Sequence, residues 1–350
     1  MSAAADLNAL QLEERQHYYQ ELAPLNLAPL WSVLHGLVPA EPNPLARPWR
    51  WGWREAYPQL LRAGSLISAQ EAERRVLVLE NPGLPGRSQI TDTLYAGLQL
   101  ILPGEVAPAH RHTQSALRFV LHGSGAFTAV DGEKTVMQRG DFIITPHWGW
   151  HDHGHDGDEP VVWLDGLDVP LVAFLRAGFR ESHGAQAQTL QRTTGEAAAL
   201  FGSGLLPVEC DRRSLTSPLF SYPYSRSREA LHLVARTRDP DPHLGTCMRY
   251  VNPLNGDWAM PTLGTALRHY PAGMSTLAYR STDSTVLVGL EGRAQIEFAD
   301  GQRLALEPND VVAVPGWTAW AVHAEQETVL FSYSDRPVHE KLGLLREQRL

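Results

Sequence analysis

Cysteine is nearly absent. Cys210 and Cys247 are the only two among 350 residues, too few for a disulfide framework or a thiolate-built metal site. Neither has a histidine motif nearby, so both are expected to be ordinary thiols. Long apolar runs are also missing: no window approaches about 18 uninterrupted apolar residues, the length a spanning helix needs. The N-terminus lacks a basic segment followed by an apolar stretch, the pattern of a secretory signal. Positive charge is in short supply, with 30 Lys and Arg against 39 Asp and Glu and a formal charge of −9. Such a surface offers no counter-charge to nucleic acid or to an anionic membrane. These deficits predict a cytoplasmic protein without nucleic-acid or membrane partners. What is present is ordinary globular material, 43% hydrophobic and 20% charged, enough for a real core.

At about 150 residues per domain, the length predicts two domains. The segment from Asp6 to Leu22 reads as a helix, with Asp6 placed to cap it. Pro39, Pro42, Pro44 and Pro48 then predict an extended arm. A second helical stretch, carrying Arg74 and Arg75, is expected to end near Pro82. The run from Trp49 to Arg54 has the look of an aromatic–basic nucleic-acid patch. Two arginines in an acidic chain cannot sustain that role, so packing onto a barrel or a neighbouring subunit is expected instead.

From about Thr91 short β-rich runs alternate with Gly, Pro and Asp turns, the texture of a sandwich or barrel. Residues 176–245 are mixed and loop-rich, and a second β-rich block runs from about Met248 to Tyr333. The two blocks repeat at an offset of 169: Gly104 maps to Gly273, Gly123 to Gly292, Asp131-Gly132 to Asp300-Gly301, Asp141 to Asp310 and Pro146 to Pro315. Each is a turn residue that a barrel uses for a physical reason. The expected organisation is an N-terminal arm over 1–88, a first barrel over 89–175, a linker over 176–245, and a second barrel with a C-terminal tail over 246–350.

The chemistry lies in the first copy. His110 and His112 are two apart on an expected strand, which puts both side chains on one face with Cα atoms about 6.5–7 Å apart. Their nitrogens can converge on one ion at about 2.0–2.2 Å, and His151, after the turn Pro146–Gly149, can supply a third ligand. Imidazoles suit Zn, Cu, Fe or Ni. In the second copy the same positions are Tyr279, Ser281 and Trp320, so that barrel keeps its turns and loses all three ligands.

These stretches resemble the paired motifs of the cupin superfamily, and the repeat makes the chain similar to a bicupin: all-β, two small barrels, with a helical N-terminal arm. The usual motif has a Glu four or five residues past the second His, where this chain has Ala116 and Leu117, followed by Arg118. A three-histidine set with a nearby arginine is similar to the ring-cleaving dioxygenases that act on gentisate, salicylate and 1-hydroxy-2-naphthoate. The strings TLYAGLQLILPGE, AHRHTQSALRF and WHDHG fit that family. The resemblance covers most of the chain and is strongest from 91 to 170.

That resemblance implies an Fe(II) cofactor, cleavage of gentisate with O2 to maleylpyruvate, and a homotetramer. Salicylate or 1-hydroxy-2-naphthoate is the alternative substrate, and a non-catalytic bicupin binding protein is the alternative from another class. It also implies roles for individual residues. Arg118, on the face of His112 if the strand runs that far, would bind the substrate carboxylate. His153 would act as acid or base, and Gln99 and Tyr95 would line the pocket. Asp165 would orient a ligand histidine, and Arg74 or Arg75 would reach the substrate from the N-terminal region.

Overall fold

The computed structural model describes residues 2–210 and 213–350. By compactness the chain has two units, Met1–Asn43 and Pro44–Leu350. In the first, helices cover Ser2–Leu22 and Leu30–Leu37, and Trp31 Nε1 donates to Tyr19 Oη at 2.8 Å. The first helix starts at Ser2, so Asp6 lies inside it and does not cap it. The intervening alanines are strong helix formers, which carries the helix past the expected cap.

Within Pro44–Leu350, a six-stranded and a five-stranded antiparallel sheet build each barrel. The first barrel's six-stranded sheet runs, in spatial order, Ser221–Tyr222, Phe142–Thr145, Ala116–His122, Val161–Leu167, Tyr95–Ile101 and Val76–Val78. Opposite it lie Arg180–Ser182, Val106–His112, His151–His155, Ser124–Val130 and Glu133–Gln138. The second barrel repeats this plan. Strands Gly264–Tyr270, Thr285–Glu291, Val311–Val314 and Trp320–Ala324 sit 169 positions after their counterparts. Even the left-handed tryptophans recur, Trp148 at φ 60° and Trp317 at φ 59°. From Thr328–Ser334 onward the offset falls to 167, because the preceding connection is two residues shorter.

The six-stranded sheets pack back to back. Phe119 stacks on Phe331 with ring centroids 4.0 Å apart, and both are fully buried in one core that spans the two barrels. The halves also exchange strands. Trp49–Trp51 precedes the first barrel but pairs with Val311–Val314 of the second, while Ser221–Tyr222 precedes the second and pairs with Phe142–Thr145 of the first. The aromatic–basic run is therefore split between an edge strand, Trp49–Trp51, and the start of the helix Trp53–Leu66. Each exchanged strand leads into a 14-residue helix, Trp53–Leu66 or Tyr224–Thr237. The helical stretch expected around Arg74 lies earlier than that reading placed it: Arg74 and Arg75 follow the short helix Ala69–Ala72 and enter a strand at Val76.

The repeated turn aspartates lock this exchange. Asp310 accepts from the Trp53 amide at 2.8 Å, from Arg50 Nη1 at 2.9 Å and from the Glu307 amide at 3.0 Å. Asp141 likewise accepts from the Tyr224 and Gln138 amides, both at 2.9 Å. A carboxylate at a helix N-terminus satisfies an orphan donor and opposes the helix dipole. Asp310→Ala removes both, while Arg50 keeps solvent and Glu55, so urea unfolding should show a loss of about 1–2 kcal/mol. The three-histidine barrel should keep its metal content; a change below 0.5 kcal/mol, about the range of an ordinary surface substitution, would refute the interlock.

Candidate metal centre and substrate pocket

His110 and His112 end the strand Val106–His112, and His151 begins the strand His151–His155 that pairs with it. His110 and His151 are direct cross-strand partners. The register shifts between Ala107 and His110, around Pro108. This bulge lets Ala107 and His110, three apart, both face inward, and proline is tolerated in a strand at such a place. The left-handed turn at Trp148 closes the site from the other side, its amide donating to the His112 carbonyl at 2.7 Å. Ring centroids are 4.2 Å apart for His110 and His151, 4.9 Å for His112 and His151, and 5.3 Å for His110 and His112. One ligand nitrogen from each falls within 4.8 Å of the other two.

Each ring is held by its own backbone. Nδ1 of His110 lies 3.2 Å from the Pro108 carbonyl, that of His112 2.9 Å from Gln114, and that of His151 3.0 Å from Gly149. Donation of Nδ1–H to a carbonyl leaves the Nε2 lone pair for a metal and fixes its aim. His151 Nε2 is buried without any hydrogen-bond partner, the state expected of a nitrogen that needs a ligand. Burial, reinforced by Arg74, pushes the His110 pKa down to about 3. Burial also lowers His112 to about 4 and drives His151 well below its ordinary value. All three are neutral at pH 7, as ligation requires. The set fits a transition metal.

Facing the histidines is the six-stranded sheet. Arg118 belongs to a separate strand, Ala116–His122, and not to an extension of the His112 strand as the sequence led us to expect. The chain turns at residues 113–115, so Arg118 reaches the same interior from the opposite wall. It is buried, pairs in register with Asp165, and holds its Nε 3.5 Å from Asp165 Oδ1. Its Nη1 donates to Thr145 Oγ1. Tyr95, Gly97 and Gln99 occupy the same face in the rows of Leu167, Asp165 and Trp163.

Asp165 corrects another expectation. It accepts from Trp163 Nε1 at 3.0 Å and pairs with Arg118, whereas the ligand histidines lean on backbone carbonyls. Burial, partly offset by Arg118 and Arg74, lifts the Asp165 pKa to about 6. His153 shares the face of His151 and is fully buried, with both ring nitrogens lacking a partner.

The adjacent arginines separate cleanly. Arg75 is consumed by Glu105, at 2.8 and 2.9 Å, and by the Ile67 carbonyl at 2.8 Å. Arg74 points into the site, its Nη2 2.8 Å from His110 Nδ1. When that nitrogen carries its hydrogen and donates it to the Pro108 carbonyl, it offers Arg74 no lone pair, which leaves the guanidinium for an anion. A cavity of about 270 Å³ opens beside Arg74, His110 and Arg180. Thr145 and Trp163 were missed by sequence reasoning, although Trp163 sits two residues from Asp165 and so shares its face.

The comparisons with known proteins agree with this geometry. A family model described as a cupin domain matches residues 97–168. Gentisate 1,2 dioxygenase 1 of Aquipseudomonas alcaligenes is 49% identical over 96% of this chain and 97% of that protein. The chain belongs to the gentisate 1,2-dioxygenase family of cupin proteins. A 1-hydroxy-2-naphthoate 1,2-dioxygenase of Nocardioides in this family is 36% identical, covering 88% of this chain and 80% of that one. The crystal structure of salicylate 1,2-dioxygenase from Pseudoaminobacter salicylatoxidans, in adducts with gentisate, matches with a TM-score of 0.90. It is 34% identical over 96% of this chain and 94% of that one.

The second barrel retains the frame without the donors. Tyr279 and Trp320 are paired in register, as His110 and His151 are. Tyr279 Oη donates to Glu347, and Trp320 is buried. The second barrel also buttresses the first, since Tyr333 Oη donates to the Tyr95 carbonyl at 2.9 Å.

Proposed function

We propose that the chain is an Fe(II)-dependent dioxygenase that opens the gentisate ring with O2 to give maleylpyruvate. The bond broken joins the carboxyl-bearing carbon to its hydroxyl-bearing neighbour. The observation that carries this reading is a barrel that brings together three neutral imidazoles, two buried and one half-buried, opposite a buried arginine. The relatives named above support it.

His110, His112 and His151 would hold the iron, which supplies the electron exchange with dioxygen that a closed-shell aromatic cannot undertake alone. Because all three ligands are neutral, they leave the ion's double charge for a substrate dianion to balance, and a balanced charge suits a low-dielectric interior. Arg118 binds the substrate carboxylate through its planar fork, steadied by Asp165 and Thr145. Arg74 adds a second cation: burial and the neighbouring Arg118 lower its pKa only to about 10, so it stays charged. His153, with both ring nitrogens unpartnered, can accept a hydrogen bond from a ring hydroxyl. Tyr95 and Gln99 border the ring.

The second reading keeps the site and moves the substrate to salicylate or 1-hydroxy-2-naphthoate, favoured by relatives carrying those names. Exposed apolar side chains, among them Leu30, Trp31 and Leu37 as well as Phe174 and Phe179, support a homotetramer in which copies cover one another. The scarcity of cysteine supports a cytoplasmic setting. Chelator-stripped protein should take up no oxygen with gentisate. Fe(II) should restore uptake and Zn(II), lacking redox chemistry, should not; restoration by Zn(II) would overturn the redox role.

A further inference from the structure

A second cluster of metal-ligand type lies outside the active barrel. His232 is on the helix Tyr224–Thr237, His269 on the strand Gly264–Tyr270 against which that helix packs, and Glu327 just before the strand Thr328–Ser334. One ligand atom from each falls within 4.8 Å of the others. Glu327 Oε1 is 2.9 Å from His269 Nε2 and 3.5 Å from His232 Nδ1. In a tetrahedral site with bonds of about 2.0–2.2 Å, ligand atoms stand roughly 3.3–3.6 Å apart, so small side-chain shifts suffice.

The internal repeat shows that these histidines are not required by the fold. The helices Trp53–Leu66 and Tyr224–Thr237 are counterparts: both take a turn aspartate on the first amide, and both bury a leucine, Leu60 and Leu231, at 0% exposure. By that alignment His232 replaces Leu61, and at the 169 offset His269 replaces Leu100. In the first half the strand position is a buried leucine, Leu100, and the helix position an exposed one, Leu61; in the second half both are imidazoles. Such a swap costs stability unless the ring nitrogens are used. His232 Nδ1 and His269 Nε2 are the nitrogens turned toward Glu327, placed where an ion would use them. Glu327 is exposed, which leaves a side of the cluster open to water. Arg228, one turn before His232 on the helix, is occupied by Glu291 at 2.7 and 2.9 Å.

We propose that His232, His269 and Glu327 bind a divalent transition-metal ion, with water completing the shell, and that the ion clasps the helix to the second barrel. Two imidazoles and a carboxylate select a zinc-like ion over magnesium or calcium.

The test is cobalt stoichiometry on chelator-stripped full-length protein, read by metal analysis after gel filtration and by the visible spectrum. Wild type should bind two Co(II) per chain. His232→Leu/His269→Leu, which copies the leucine pair of the first half, should bind one and should keep gentisate-dependent oxygen uptake after iron loading. His110→Ala/His151→Ala should also bind one, the ion left being the one at the new site. Glu327→Gln, on an exposed side chain that folding does not need, should weaken the second site at least tenfold. One cobalt per wild-type chain, two in the leucine pair, or unchanged affinity in Glu327→Gln would each overturn the assignment.

Discussion

His151→Ala is expected to abolish metal retention and oxygen uptake together while the barrel stays folded. His151 is the most enclosed of the three ligands, 1% exposed, and its Nε2 has no protein partner to lose. Removing an outer partner of a ligand costs about 10–100-fold in metal affinity, so deleting the ligand itself should cost more than roughly 100-fold. The apo protein should lose only about 1–3 kcal/mol, the ordinary range for a buried truncation. Metal analysis after gel filtration and urea unfolding of the stripped protein separate the two effects. Undiminished iron in this variant would remove His151 from the ligand set.

Arg118→Lys should lower kcat/KM for gentisate by about 100–1000-fold with metal content intact. Lysine keeps the charge but not the fork, and a compact ammonium cannot hold a carboxylate bidentately beside Asp165 and Thr145. Arg118→Met should behave differently, because it strands Asp165 in the core at a cost of about 3–5 kcal/mol. The sign with pH follows from the Asp165 carboxyl, which burial raises from 3.8 to about 6 even with Arg118 beside it. A carboxyl raised on folding contributes most below its unfolded pKa, and that contribution is lost as pH rises through its folded value. Without Arg118 the folded value climbs further. The methionine variant should therefore keep losing stability relative to wild type as pH increases beyond about 6. A pH-independent difference in unfolding free energy would mean that Asp165 does not rest on Arg118.

Much of this was legible in the chain because barrels place turns by chemistry. The Gly, Asp-Gly and Gly-Asp punctuation at one offset revealed two copies, and the loss of histidines at Tyr279, Ser281 and Trp320 told the copies apart. The three histidines that the structure brings together were readable from an even spacing and a turn. What remained hidden was everything that depends on bends and long-range pairing. A bulge at Pro108 alters the phase of a strand without altering its composition, and the corner at 113–115 moved Arg118 to the opposite wall. Asp165 found its partner on the neighbouring strand, 47 positions earlier in the chain, a relation that carries no local signal. Neighbouring Arg74 and Arg75 look alike in sequence, yet Glu105 consumes one and leaves the other to the site. The strand exchange at Trp49–Trp51 and Ser221–Tyr222 joins residues about 260 and 80 positions apart in the ladder, far beyond any local pattern.

Oxygen consumption by anaerobically Fe(II)-loaded protein, offered gentisate and salicylate separately with His110→Ala as control, tests the central claim most directly. The account predicts about one O2 per gentisate, since both oxygen atoms enter the product, with little uptake on salicylate and none in the variant. Uptake with salicylate in place of gentisate would move the substrate while leaving the site. No uptake with either acid, despite bound iron, would contradict the dioxygenase reading.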